Sequence, residues 1–386
     1  MGRRLRMGMI GGGKGAFIGA VHRRAAAMDN QIELVCGAFS ADPAKSRESG
    51  EELYLPPDRV YGSFEEMIRG ERSLPADRRM DFVSIVTPNH LHFSAAKTAL
   101  ENGFPVMCDK PLAFDLREAH DLEALVSRTG LLFGLTHAYT GYPMVKEARQ
   151  IVAAGRLGRI RKIVVEYPDG WLSKDIDSRN KQATWRTDPA RAGSSACMGD
   201  IGTHAENLAE YVTGLKILEV CADLTTFVEG RRLDDDGNVL LHMEGGARGV
   251  LYASTISAGE ANALAIRVYG EEAGLAWKQV EPNRLTITRS DGPWEILTPG
   301  TGQAYLSQQT QRNTRLPAGH PEGYLEAFAN LYRNFAMALR CRLEGREPDP
   351  AFLDFPTVED GVRGMAFIET VVESARSDRK WVRMKA

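Results

Sequence analysis

The sequence predicts a two-domain α/β chain: first a doubly wound parallel sheet, then an α/β domain on a large open, mainly antiparallel sheet. Three observations predict it. At 386 residues the chain is well beyond the usual single-domain length, which is roughly 100 to 200 residues. Through the first third, short apolar runs alternate with helical patterns, the rhythm expected when each parallel strand returns through a crossover helix. Near residue 138 that rhythm stops, and strand-like runs follow one another with turn residues between them and no helices, as antiparallel neighbours do. The expected domains are 1–137 and 138–386, with the last helix packing back on the first domain.

The first domain reads as strand 5–10, helix 15–28, strand 32–39, helices 43–50 and 63–69, strand 82–85, helix 92–102, strand 106–108, helix 115–129 and strand 132–135. Its strands are continuous and β-branched rather than alternating because a parallel sheet is covered on both faces. The second domain opens with helix 144–154 and strand 162–167, then a loop over 168–195 rich in Asp, Arg, Ser and Trp. Strands follow at 219–227, 237–243, 248–257, 263–270, 274–279 and 284–289, then a second loop at 299–322 and helices 324–343 and 358–376.

With 43% hydrophobic and 26% charged residues, the chain has the apolar content of a folded protein. Its formal charge of -3 offers no long-range attraction to phosphate backbones or anionic lipid. Neither nucleic acid nor membrane is an expected partner, and no window approaches the roughly 20 apolar residues of a membrane span. Arg3, Arg4 and Arg6 precede an apolar stretch of only 7–10, too short for a signal-peptide core. Five scattered cysteines, an odd number without a C-x-x-C pair, read as reduced thiols of a cytoplasmic protein.

The turn after the first strand carries Gly11, Gly12 and Gly13 and opens the first helix. In that context glycines let a backbone approach a pyrophosphate at a helix amino terminus. Ala16 completes G-x-G-x-x-A strictly, with Phe17 and Ile18 beside it, whereas Gly19 takes the third place if the turn is longer. Where an acidic residue would read the adenosine ribose of NAD, the second strand ends at Ser40, with Asp42 two residues on. Ser40 with Lys45 and Arg47 also suits the 2′-phosphate of NADP, so NAD and NADP both stay open.

Two further motifs fall at the carboxyl ends of predicted strands, where open α/β sheets bind ligands: Thr87-Pro88-Asn89-His-Leu-His92 and Cys108-Asp109-Lys110-Pro111. A third, Gly199-Asp-Ile-Gly-Thr-His204, begins a helix in the second domain, and its Asp200 and His204 are four apart and share one face. His90 and His92 lack the companions of a metal site, so no metal is expected. His22 reads as a plain helix residue.

The order of these motifs resembles the glucose-fructose oxidoreductase, inositol dehydrogenase and rhizopine-catabolism (Gfo/Idh/MocA) family, over essentially the whole chain. The resemblance implies a Rossmann domain joined to a domain whose open sheet serves homo-oligomerisation. It also implies that Lys110 lies beside the nicotinamide, Asn89 near its ribose or carboxamide, and Asp200 and His204 at the sugar hydroxyl. Two departures stand out: Asp109 precedes the lysine where Glu is usual, and the glycine turn is longer than in most relatives.

The residue types suit the chemistry. A hydride leaves a carbinol carbon only as the hydroxyl proton leaves, which calls for a base such as His204. Lys110 stabilises the developing alkoxide, and Asp200 orients substrate or raises the basicity of its neighbours. Trp171, Trp185 and Arg186 are candidates for stacking on a sugar face and holding an anion, amid Lys174, Arg179, Lys181 and Arg191 and four aspartates. Tyr139 near the domain junction and His320 in the second loop complete the substrate candidates. The expected function is hydride transfer between a secondary hydroxyl of a sugar, glycoside or cyclic polyol and the nicotinamide. A redox-assisted glycosidase and a non-catalytic dinucleotide sensor are the alternatives.

Overall fold

The structure is a computed structural model that describes residues 2–176 and 180–385. Asp177 and Arg179, and the side chain of Lys181, lie outside what it describes. The chain divides into two compact units, Met1–Ala138 with Phe328–Val362, and Tyr139–Ala327 with Arg363–Ala386.

The first unit alternates β1 (Leu5–Gly11), α1 (Phe17–Met28), β2 (Ile32–Ala38), α2 (Pro43–Glu52), α3 (Phe64–Ser73), β3 (Phe82–Val86), α4 (His92–Glu101), β4 (Val106–Cys108), α5 (Leu116–Thr129) and β5 (Phe133–Leu135). The five strands pair in parallel in the order β2-β1-β3-β4-β5, so the winding reverses between β1 and β3. Ligands of such sheets bind beyond the carboxyl ends of the strands at that reversal. Every residue of β3 and β4 is buried, as helices on both faces require. Helix starts follow short polar residues: the Asp115 carboxylate accepts from the Glu118 amide at α5, and Ser63 does the same for Glu66 at α3. Gly130 ends α5 in the left-handed region.

The second unit contributes α6 (Pro143–Ala153), β6 (Lys162–Pro168), α7 (Lys181–Arg186), α8 (Pro189–Ala192), a π-helical turn (Met198–Gly202), α9 (Thr203–Thr213), β7 (Ile217–Thr225), β8 (Asp236–Met243), β9 (Arg248–Ser254), β10 (Ala265–Tyr269), β11 (Gly274–Lys278), β12 (Leu285–Thr288), β13 (Glu295–Leu297) and α10 (Gln308–Arg312). Helix α11 (Tyr324–Leu343) and helix α12 (Val358–Arg376) each run from one unit into the other, and β14 (Val382–Arg383) returns to the second.

Its nine strands run β13-β12-β11-β10-β6-β9-β8-β7-β14, antiparallel except for the β6–β9 pair. Burial alternates strictly along β6 and β8, so one face packs a core and the other does not. That core joins Ile163, Val165, Leu251, Ile266 and Trp277 of the sheet to Val145, Ala148, Leu208 and Val212 of α6 and α9. The loop read over 168–195 contains α7 and α8, whose starts are capped by Asn180 and Asp188. The two short edge strands β13 and β14 carry too few residues to show a period.

Candidate active site

The glycine turn leaves β1 with Gly11 at φ +80° and Gly12 at φ +69°, a conformation that L side chains rarely adopt. A Cβ on Gly19 would lie 2.3 Å from the Gly12 carbonyl oxygen. Gly19 therefore fills the close strand-to-helix packing place, and Ala16 instead precedes α1 without a side-chain cap. The turn is a cradle that only backbone can line, opening on the unpaired amides of α1, and it fits a pyrophosphate. Phe17 is exposed and Ile18 half-buried on the first turn of that helix.

At the end of β2 the Ser40 hydroxyl accepts from the Asp42 amide at 3.1 Å. The Asp42 carboxylate accepts from the amides of Ala44 (2.9 Å) and Lys45 (3.4 Å), capping α2. Asp42 is thus a helix cap, with Ser40 just past the end of β2. The Lys45 side chain is exposed on α2.

His92 is fully buried, with Nδ1 2.7 Å from the Pro111 carbonyl and Nε2 2.8 Å from the Thr87 carbonyl. The ring ties the loop after β3, with Pro88 and buried Asn89, to the loop after β4 that carries Lys110. Both its nitrogens face backbone, so His92 serves the site by fixing these loops. Burial lowers its pKa against the opposing pull of Asp109 and the two carbonyls.

Asp109 accepts from the Thr136 hydroxyl (2.8 Å) and the Lys110 amide (2.9 Å), which anchors the backbone of the lysine. Its Oδ1 also lies 3.9 Å from Nε2 of His22. That histidine is fully buried, its Nδ1 2.7 Å from the Tyr332 hydroxyl, which in turn meets the Ser84 hydroxyl at 2.8 Å. Burial pushes the pKa of His22 down to about 4 and that of His137 down to about 3, so both rings are neutral near pH 7. His22 belongs to the network behind Lys110, a role its place in a helix pattern does not reveal.

In the second unit, Asp200 lies inside the π-helical turn and His204 on the first turn of α9. The expected simple helix therefore begins with a wider turn, a feature frequent at functional sites. Buried Asp234 explains its start: its carboxylate accepts from the Ser195 hydroxyl (2.9 Å) and from the amides of Ala196 (3.1 Å) and Met198 (3.0 Å). Desolvation raises the pKa of Asp234, and those three donors oppose the rise.

The Arg186 guanidinium donates to Asp200 at 2.9 Å and to the Gln182 side chain at 2.9 Å, and lies 4.3 Å from the Trp185 ring centre and 5.8 Å from that of Trp171. The candidates Trp171, Trp185, Arg186 and Asp200 thus gather, and the charge of Arg186 is met by Asp200. His204 stands edge-on to Tyr139, ring centres 4.8 Å apart. The Tyr139 hydroxyl bonds that of Tyr167, which donates to Asn262 at 3.1 Å. Burial raises the pKa of both phenols, so they stay protonated donors. His320 is exposed, with Nδ1 3.3 Å from the Pro317 carbonyl of its own loop. Among the described residues no three His, Cys, Asp or Glu side chains gather as a metal site, and no helix is long and apolar enough to cross a membrane.

Residues 5–137 match the oxidoreductase family with an NAD-binding Rossmann fold, and residues 145–276 match the GFO/IDH/MocA C-terminal domain. The Bacillus subtilis (strain 168) oxidoreductase YfiI is 34% identical over 99% of this chain and 97% of its own length. An inositol dehydrogenase homologue from Azotobacter vinelandii, solved with NADH and myo-inositol, is 35% identical with a TM-score of 0.91, covering 99% of this chain and 98% of that one. The levoglucosan dehydrogenase of Pseudarthrobacter phenanthrenivorans is 27% identical over 73% of this chain and 76% of its own length. With both halves of the chain matched and the nucleotide cradle in place, the protein belongs to the Gfo/Idh/MocA family of oxidoreductases and carries its NAD-binding Rossmann domain.

Proposed function

We propose that this oxidoreductase transfers a hydride between a secondary hydroxyl of a cyclic polyol, sugar or glycoside and NAD, with Lys110, Asp200 and His204 as its catalytic residues. The observation that carries the reading is the grouping in the second unit of an imidazole, a paired carboxylate and two tryptophan faces around one turn of helix. The names of two relatives, for inositol and levoglucosan, support the substrate class.

NAD would supply the hydride chemistry when bound, held by Gly11, Gly12 and Gly13, the amides at Phe17 and Ile18, Ser40, and the loop of Thr87, Pro88 and Asn89, with the Ala16 amide bracing the turn on the Gly13 carbonyl. His204 takes the hydroxyl proton, and the protonated phenol of Tyr139 against its ring limits how the imidazole can turn. The Lys110 ammonium meets the oxygen as negative charge develops there. Arg186, donating to Asp200, orients that carboxylate toward a substrate hydroxyl. Trp171 and Trp185 stack on the C–H face of the ring.

We infer a cytoplasmic homo-oligomer joined through the open face of the nine-stranded sheet, where Leu240 and Tyr269 are exposed. The test is a screen of cyclic polyols, sugars and glycosides with NAD and with NADP, recording absorbance of the reduced nicotinamide. Accumulation of NADH with a cyclic polyol or sugar is expected. Sugar release from a glycoside without net reduction identifies a redox-assisted glycosidase, and nucleotide binding with no turnover identifies a sensor.

A further inference from the structure

We propose that Lys14, held between Glu48 and Glu52, is a charge latch at the ribose end of the nucleotide site that discriminates against the 2′-phosphate of NADP. The proposal rests on the NAD-binding reading of the first unit and gives a role to Lys14, a variable position of the glycine turn, and to Glu48 and Glu52 of α2.

The placement follows from hydrogen bonds. The Gly13 amide donates to the Phe39 carbonyl at 3.3 Å, one residue before Ser40. A Cβ on Gly13 would lie 2.7 Å from the Ser49 hydroxyl and 2.8 Å from the Phe39 carbonyl oxygen, so the turn is seated against the end of β2 and the flank of α2. The Lys14 amide then donates to the Ser49 hydroxyl at 3.1 Å. Lys14 therefore stands beside the ribose-reading corner. From there its Nζ reaches Glu48 at 2.5 Å and Glu52 at 2.7 Å.

Stability does not explain the triad. All three side chains are about half exposed, and exposed ion pairs contribute about 0 to 1 kcal/mol. Glu48 and Glu52 are four apart on α2, a like-charge spacing that disfavours a helix unless a cation bridges it. Across Lys14 and residues 42–52, the carboxylates of Asp42, Glu48, Glu51 and Glu52 outnumber the cations of Lys14, Lys45 and Arg47. Ser40 brings no charge of its own.

NADP differs from NAD by a phosphate on the adenosine 2′ oxygen, the atom read at the end of β2. A free lysine there would hold that phosphate as a point charge. In this chain the ammonium is already met by two carboxylates, which an incoming phosphate must face at short range. The uncharged 2′-hydroxyl of NAD meets no such opposition. The longer glycine turn, which carries Lys14, thereby acquires a function.

The test is titration of the full-length wild type, Glu48→Gln/Glu52→Gln, and the same double variant with Lys14→Met, using NADH and NADPH fluorescence without substrate. In the double variant the Kd for NADPH is expected to fall about tenfold or more while that for NADH moves less than about twofold. Adding Lys14→Met is expected to abolish the gain. In wild type, the preference for NADH should narrow as salt rises. An unchanged NADPH-to-NADH ratio in the double variant, with NADH still bound, overturns the latch, as does a gain that survives Lys14→Met. A wild-type chain that binds neither dinucleotide overturns the nucleotide site itself, and the latch with it.

Discussion

The two units hold their candidate residues in different ways. In the first, the glycine turn, the Thr87-Pro88-Asn89 loop and the Asp109-Lys110 pair follow β1, β3 and β4, three adjacent strands of one parallel sheet. The sheet brings them together through its topology, with His92 and Asp109 adding side-chain ties. In the second, Asp200 and His204 share a single turn, but the turn depends on Asp234 and its neighbours Tyr139, Tyr167 and Asn262 come from three separate stretches. A site at strand ends is held by backbone ladders; a site on a widened helical turn is only as firm as the buried polar contacts that hold it.

The largest expected effects fall on the proposed chemistry itself. Lys110→Ala and His204→Ala should each lower kcat by about a hundredfold to ten-thousandfold with the fold intact, by steady-state kinetics and circular dichroism. Near-normal turnover in either variant removes that residue from the reaction. Support residues sharpen the contrast between the units. Asp234→Ala strands two buried donors and one part-buried and should cost about 3 kcal/mol in urea unfolding, with a loss of kcat as Asp200 and His204 lose their place. Wild-type stability in that variant would mean that the π turn holds itself.

A pH experiment tests the network behind Lys110. The pKa of His22 falls from 6.5 to about 4 because the ring is buried. Between those values the unfolded chain takes up a proton that the folded chain refuses, so stability is lost as pH falls from 7 to 5. The loss assigned to His22 is about 2 kcal/mol over that interval. His22→Gln should flatten the dependence of the urea midpoint on pH by that amount, and an unchanged slope would show that the ring is protonated in the fold.

How much of this was legible in the sequence follows the same division. The strand-end motifs read directly because Gly11, Asn89 and Lys110 each follow a strand, and the alternation of strands and helices marks a doubly wound sheet, whereas its strand order is visible only in the pairing. Asp234, Tyr167 and Asn262 carried no signal, since each matters through a contact with a residue distant in the chain. Gly19 had one, its spacing from the glycine triplet, but only the approach to Gly12 distinguishes it from Ala16. Asp42 illustrates a competing local use: an Asp before Pro43 and a helical run is also a helix cap, and the backbone amides of α2 claimed it.

The smallest expected effect concerns Ser40. Its hydroxyl accepts from the Asp42 amide, a bond that an aspartate at position 40 can also accept, so Ser40→Asp should leave stability within about 0.5 kcal/mol of wild type. The new carboxylate would accept from the ribose hydroxyls of NAD and oppose a 2′-phosphate at close range. The ratio of the NADPH to the NADH dissociation constant should therefore rise about tenfold, with kcat at saturating NAD unchanged. Because residue 40 lies two past the last β2 residue paired with β1, Ala38, away from the proposed catalytic residues of the second unit, the substitution should act on the nucleotide alone. A ratio that does not move would show that the ribose is read elsewhere in the first unit, and an accompanying loss of kcat would show that this strand end is not as independent of the chemistry as the parallel sheet implies.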